Sequence, residues 1–234
     1  TATSTGTPID YTHSTTTLVI PAYATSGTIS LAVNDDAYYE DPETVIFQAV
    51  SADYATVSGT STHIYTITNN DAAPTVSFSP TSTSGLESVS SVSLTLQLSA
   101  TSSLPVVITY AIAASSTATS TGQAIDFSLT GTTTSIPAGS ITTSISLSIT
   151  DDAKDEFDEL AIISITSSTN SSGGGNQEFI YTITDNDAAP DTAFNASTAS
   201  VEENVGGGTA SVVLPLSTTS EKNVVIYYQV KAAS

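Results

Sequence analysis

The chain has 234 residues, with 23 Asp and Glu against three Lys and Arg, a formal net charge of −20, and no Cys, Met or Trp. That charge argues against nucleic acid and anionic membrane as partners and points to cations or to a chain kept soluble by self-repulsion. The lack of cysteine excludes a disulfide framework and thiolate chemistry, and no run of 18 apolar residues offers a membrane-spanning helix, so no membrane insertion is expected.

Thr, Ser, Val and Ile dominate, which favours strands over helices. Along the chain, Ile9-Asp10-Tyr11 is followed by an acidic stretch, Val33 to Glu43, and by Ile67-Thr68-Asn69-Asn70-Asp71-Ala72-Ala73-Pro74. Alternating runs then predict strands over 76–78, 92–98, 106–112, 144–149, 160–165 and 179–183. Gly173-Gly174-Gly175-Asn176 predicts a hairpin turn by composition. Between the fourth and fifth runs, Asp151 to Glu159 places six carboxylates in nine residues where a strand ends. Carboxylates this dense repel one another by about 1 kcal/mol per pair at ~4 Å even in water. Such a loop stays either fully solvated or filled by a cation, and Ca²⁺, which takes six to eight oxygen ligands, suits it.

The acidic stretch occurs twice, and so do its surroundings. Ile125-Asp126-Phe127 lies 116 residues after Ile9-Asp10-Tyr11, and Ile183-Thr184-Asp185-Asn186-Asp187-Ala188-Ala189-Pro190 lies 116 after the run beginning at Ile67. Past a Gly-rich turn at Gly206 to Gly208 the spacing becomes 118, as in Tyr110 and Tyr228. Thr117 to Gly122 matches Thr1 to Gly6, so residue 234 runs in register into residue 1. The repeat divides the chain into 1–73, the C-terminal two-thirds of a repeat; 74–189, a complete repeat; and 190–234, the N-terminal third of another. The last piece is expected to be completed by the 1–73 piece of a neighbouring copy, end to end, in tandem or by strand complementation. The missing Met is expected of a processed product or a fragment.

Four blocks in order, Gly122 to Phe127, Ile136 to Gly139, Asp151 to Glu159 and Ile183 to Asp187, make the chain resemble the Calx-beta domain family. The resemblance implies an all-β fold of tandem immunoglobulin-like antiparallel β-sandwiches that bind Ca²⁺ at one end. Carried over residue by residue, it implies ligands at Glu87, Asp126, Asp151, Asp152, Glu156, Glu159, Asp185 and Asp187, enough for two or more ions. It implies a second site at Asp10, Asp35, Asp36, Glu40, Glu43 and Asp71, with Glu203 supplied by a neighbouring piece. Asn186 stands where binding members often carry an acid, and Asn69-Asn70-Asp71 keeps one acid of three, so the second site is expected to be the weaker.

His13 and His63 have no counterpart in the other copy and read as exposed strand residues, and Tyr65, Tyr110, Tyr181, Tyr227 and Tyr228 read as core or cross-strand packing. No nucleophile elbow, phosphate loop or His-Asp-Ser set shared by the copies is present, so no enzyme is expected. The functional expectation is a structural repeat of an extracellular or cell-surface filament, stalk or fibre, stiffened by Ca²⁺ at inter-domain ends. The alternatives are an adhesin stalk whose ligand-binding domain lies elsewhere and a calcium-sensing regulatory module.

Overall fold

The computed structural model describes residues 1–122, 124–201 and 210–231. The Gly-rich turn at 206–208 and Glu203 lie outside the described residues. Among the described residues there is no helix, and hence none long and apolar enough to cross a membrane.

Strand order follows from period-two patterning. β1 (Tyr11–Thr12) pairs with β2 (Ala32–Val33), and β3 (Glu43–Gln48) with β4 (Thr62–Ile67), all within residues 1–73. The central sandwich begins with β5 (Thr75–Phe78), β6 (Ser82–Leu86), β7 (Ser91–Leu98) and β8 (Val106–Ile112). It continues with β9 (Phe127–Leu129), β10 (Thr133–Ile136) and β11 (Thr142–Ile149). It closes with β12 (Glu159–Ser168), β13 (Ser172–Gly173) and β14 (Glu178–Thr184). One sheet runs β10-β8-β12-β14-β6 and the other β13-β5-β7-β11-β9. The ladders are antiparallel except at two pairings, β13 with β5 and β14 with β6.

The inward faces make the core. In β7, Leu94, Leu96 and Leu98 are buried while Ser93 and Gln97 face out; in β11, Ile145, Leu147 and Ile149 are buried while Ser144 and Ser146 face out. Each fully buried leucine or isoleucine contributes about 1.5–3 kcal/mol relative to exposure. The middle strand β12 breaks the alternation: Ala161, Ile162 and Ile163 are all buried. Beyond β8, residues 113–118 continue along the edge of β12, where the Ala113 amide donates to the Ile162 carbonyl at 2.8 Å and the Ala118 amide to the Leu160 carbonyl at 3.1 Å.

Four strands lack a clear sequence signal. β6, β9, β10 and β13 are short and rich in Ser, Thr or Gly. β6 depends on a missing side chain: a Cβ on Gly85 would fall 2.3 Å from the Tyr181 hydroxyl oxygen, so only glycine lets this strand lie beside β14. The glycine run lies, as expected, in the hairpin connection between the antiparallel partners β12 and β14, and its first residue also belongs to β13, which adds Ser172–Gly173 to the far edge of the other sheet.

Among the described residues, the flanking pieces repeat the central patterning with little of its burial, Val45 and Ala2 being their buried apolar residues. Ile29, Ile46 and Tyr65 are exposed, whereas their counterparts Ile145, Ile162 and Tyr181 are in the core. Among the described residues of 190–231 no strand forms, although the isolated bridge Thr192↔Leu216 repeats the Val76↔Leu98 pairing. Tyr227 and Tyr228 are exposed there, so the reading of those two tyrosines as packing does not hold within this chain.

Candidate metal centre

Each acidic end starts where a strand runs out of partners. After β11, the Thr150 amide donates to the Asp126 carbonyl at 2.8 Å, which ties Asp126 to the start of the acidic turn. At the first end the Asn34 amide donates to the Asp10 carbonyl, also at 2.8 Å. In both, the aspartate carboxylate is held by a backbone amide of the preceding Ser/Thr segment: that of Thr119 for Asp126, at 2.5 Å, and that of Thr3 for Asp10.

The turns themselves are built alike. Asp152 Oδ1 accepts the Lys154 amide, and Asp36 Oδ1 the Tyr38 amide, each at 2.8 Å. The final acidic run closes over the turn through asparagine: Asn186 Nδ2 donates to Asp151 Oδ1 at 3.3 Å, and Asn70 Nδ2 to Asp35 Oδ1 at 3.0 Å. An aspartate at either place would set a second negative charge there. The asparagines that depart from the acidic pattern therefore tie the two loops together as donors.

Two trios of carboxylates come within ligating distance. Oxygens of Asp10, Asp36 and Glu40 lie within 4.8 Å of one another, as do oxygens of Glu87, Asp185 and Asp187. Asp10 is 5% exposed and Glu87 4%, and Asp10 Oδ1 and Asp187 Oδ2 are buried without a hydrogen-bond partner. A buried carboxylate oxygen left unpaired is costly. A hard cation with several oxygen ligands satisfies those lone pairs and offsets the repulsion, so the donor set of each trio fits Ca²⁺.

The electrostatics carry the same imprint. Burial, with Asp10, Asp36 and Glu43 nearby, pushes Glu40 up to about 7. Burial, reinforced by Asp187, Asp185 and Glu156, pushes Glu87 up to about 7 against the opposing hydrogen bond from the Asn186 amide. Burial and a shared hydrogen bond with Asp126 push Glu159 up to about 8. Glu43 and Glu156 are raised as well, chiefly by burial. Asp152 goes the other way: burial acts upward, but the hydrogen bonds and charge of Lys154 hold it below the usual range.

The implied ligands fall in distinct places. Beside the Glu87, Asp185 and Asp187 trio, the Glu156 amide donates to Asp185 Oδ2 at 3.2 Å, and Lys154 pairs with Asp152 and, at 3.2 Å, with Glu156. Asp126 and Glu159 form their own pair, and Asp151 is bonded to Asn186. At the first end Glu43 sits against Asp10, and Asp35 is bonded to Asn70. Asp71 stands outside the trio, its amide donating to Asn69 Oδ1 at 3.2 Å. Glu203 lies outside the described residues.

Several groups at these ends went unmarked in the sequence reading. Asp158 Oδ1 accepts the Asp185 amide at 3.2 Å. Asp155 and Lys222 form an ion pair at 2.5 Å, and Lys222 also reaches Asp185 at 3.3 Å. Asp155 and Asp158 lie inside the six-acid run, so they carried a signal. Lys222 carried one too: it is one of three basic residues in the chain.

Each acidic turn also touches the next repeat. At the first joint the Tyr39 amide donates to the Thr101 carbonyl at 3.2 Å, and the Ser103 amide donates back to Tyr39 at 3.0 Å. At the second, Asp155 takes the place of Tyr39: the Glu221 amide donates to its carbonyl at 3.0 Å, and the Ser220 hydroxyl to the same carbonyl at 3.1 Å. Tyr39↔Ser102 and Asp155↔Ser220 are both isolated parallel bridges.

No family profile matches the chain, and no curated protein matches it. Solved structures do. A crystal structure of the apo form of the Calx CBD1 domain shares 16% identity at a TM-score of 0.43, with 50% of this chain and 100% of that chain covered. CBD12 from CALX1.2 shares 21% identity at a TM-score of 0.44, with 56% of this chain and 52% of that chain covered. The calcium binding domain CBD12 of CALX1.1 shares 20% identity at 0.43, with 56% and 54% covered, so this chain spans about half the length of each CBD12 structure. The chain is similar in fold to these Calx domains.

Proposed function

We propose that this chain is a structural, non-enzymatic array of β-sandwich repeats whose acidic ends bind Ca²⁺ and thereby stiffen the joints of an extracellular filament, stalk or surface fibre. The observation that carries this reading is position: each carboxylate trio lies at the end of a repeat where its acidic turn hydrogen-bonds the next repeat, at Tyr39 and at Asp155. Asp10, Asp36 and Glu40, with Asp35 and Glu43 beside them, would hold the ion at the first joint. Glu87, Asp185 and Asp187, with Glu156, Asp152, Asp126, Asp151 and Glu159 around them, would hold it at the second. The ion supplies positive charge; the chain supplies preformed turns that only the folded state presents, so binding adds stability by linkage. The open apolar faces of 1–73 and 190–231 are completed in this reading by neighbouring copies of the repeat.

Calorimetric titration of the whole chain with Ca²⁺ tests the site. Dissociation constants of about 10⁻⁴–10⁻³ M are expected of an extracellular structural module. Binding a thousandfold tighter would favour a calcium sensor, and no heat with no rise in melting temperature would end the proposal.

A further inference from the structure

The two joints share a backbone scaffold, and one of the sets of side chains in which they differ meets across the second joint. At the second joint Lys222, contributed by the following repeat, reaches back to Asp155 at 2.5 Å and Asp185 at 3.3 Å, and lies over the Phe157 ring at 5.4 Å. Ser220 completes the group by donating to Asp155 Oδ2 at 3.0 Å. The carboxylate of Asp155 belongs to a residue only 7% exposed, so its charge is taken from water and given to the lysine.

At the first joint the three corresponding positions are Tyr39, Asn69 and Leu104. The backbone there is unchanged: the Leu104 amide donates to the Ser102 hydroxyl at 3.0 Å, as the Lys222 amide does to that of Ser220 at 3.0 Å. Three residues far apart in sequence thus differ together, all uncharged at one joint and all charged at the other. A lysine alone would find neither of these two acids at the first joint, where Tyr39 and Asn69 stand, and the two acids alone would add repulsion at the second.

We infer that Lys222 is a tethered cation that clamps the second joint to Asp155 and Asp185, so that this joint holds without metal while the first does not. The inference rests on reading the joints as calcium sites, which makes the first joint the metal-dependent one. Lys222 shares Asp185 with the trio of Glu87, Asp185 and Asp187, so it also competes with a divalent ion for that ligand. A cation carried by the next repeat secures orientation as well as charge, because it can be satisfied only when the two repeats are docked.

Amide hydrogen exchange on the whole chain, in chelator and in Ca²⁺, tests the clamp. In chelator the Glu221 amide, which donates to Asp155, should stay protected while the Ser103 amide, which donates to Tyr39, exchanges freely. Lys222→Leu, which installs the residue of the first joint, should lower protection of the Glu221 amide at least tenfold in chelator and leave the β7 and β11 amides unchanged. Conversely, Tyr39→Asp, Asn69→Asp and Leu104→Lys made together should render Ser103 resistant to chelator. An unchanged Glu221 amide in Lys222→Leu would overturn the clamp. So would equal loss across β7 and β11, since the lysine would then serve the sandwich and not the joint. The chelator comparison judges the clamp alone; absence of any response of either joint to Ca²⁺ in the wild type would instead overturn the calcium reading.

Discussion

The two acidic ends are near copies in backbone and unlike in charge. At the first, Asp10, Asp36 and Glu40 face one another with no lysine among them. At the second, two of the chain's three basic residues, Lys154 and Lys222, occupy Asp152, Glu156, Asp155 and Asp185. Counting carboxylates ranks the second end as the stronger Ca²⁺ site. Counting carboxylates not already paired narrows or reverses that ranking, because each lysine must be displaced or tolerated beside a divalent ion. Ligand number and free ligand charge are separate quantities, and only the first can be read from a motif.

The comparison can be broken most forcefully by removing the metal. At Ca²⁺ a hundredfold above its dissociation constant, linkage adds about 2.7 kcal/mol per site. Chelation should therefore lower the calorimetric melting temperature by several degrees, with the first end losing more protection than the second. A next, smaller effect comes from single ligands. Glu40→Gln and Glu87→Gln should each weaken Ca²⁺ binding about tenfold, or ~1.4 kcal/mol, while raising metal-free stability at alkaline pH, since each removes a buried charge. Titration calorimetry and denaturant melts read the two halves of that statement.

pH sharpens the comparison further. Glu40 and Glu87 are raised to about 7 and Glu159 to about 8. A carboxyl with a raised folded value binds its proton more tightly when folded, so it favours the native state at low pH. That advantage is complete below the unfolded value of 4.5 and is lost as pH climbs through about 7 to 8. Metal-free protein should therefore be more stable to denaturant near pH 5 than near pH 8. Saturating Ca²⁺ should flatten the slope, and its binding at neutral pH should release protons measurable by buffer-dependent calorimetry. The smallest expected change follows Asn186→Asp: an added charge favours the ion, but the Asp151 hydrogen bond is lost, so affinity should rise only a few-fold.

Much of the sandwich was legible because most of its long strands carry an apolar face of period two. β7, β8, β11 and β14 each place an apolar residue at every second position, and pairing buried that face as read. β6 was not legible, since Ser82–Leu86 has no apolar face and forms through the space Gly85 leaves beside Tyr181. At the site, the turns announced themselves by charge density. The pairing of Asp155 with Lys222 did not, because the partners lie 67 residues apart across a repeat boundary. Aligning the chain with itself locates such a pair only when differences between the copies are examined as closely as their matches. The asparagines show the same lesson: Asn70 and Asn186 look like lost ligands in the sequence and are loop-to-loop donors in the structure.

The central claim, that Ca²⁺ fixes the geometry between repeats, is tested most directly by a distance distribution across the first joint. The chain has no cysteine, so spin labels at Thr60→Cys and Ser128→Cys, both exposed positions, would report on it alone. The account predicts a broad distribution in chelator that narrows to a single peak on adding Ca²⁺. Distributions of equal width in the two conditions would contradict it.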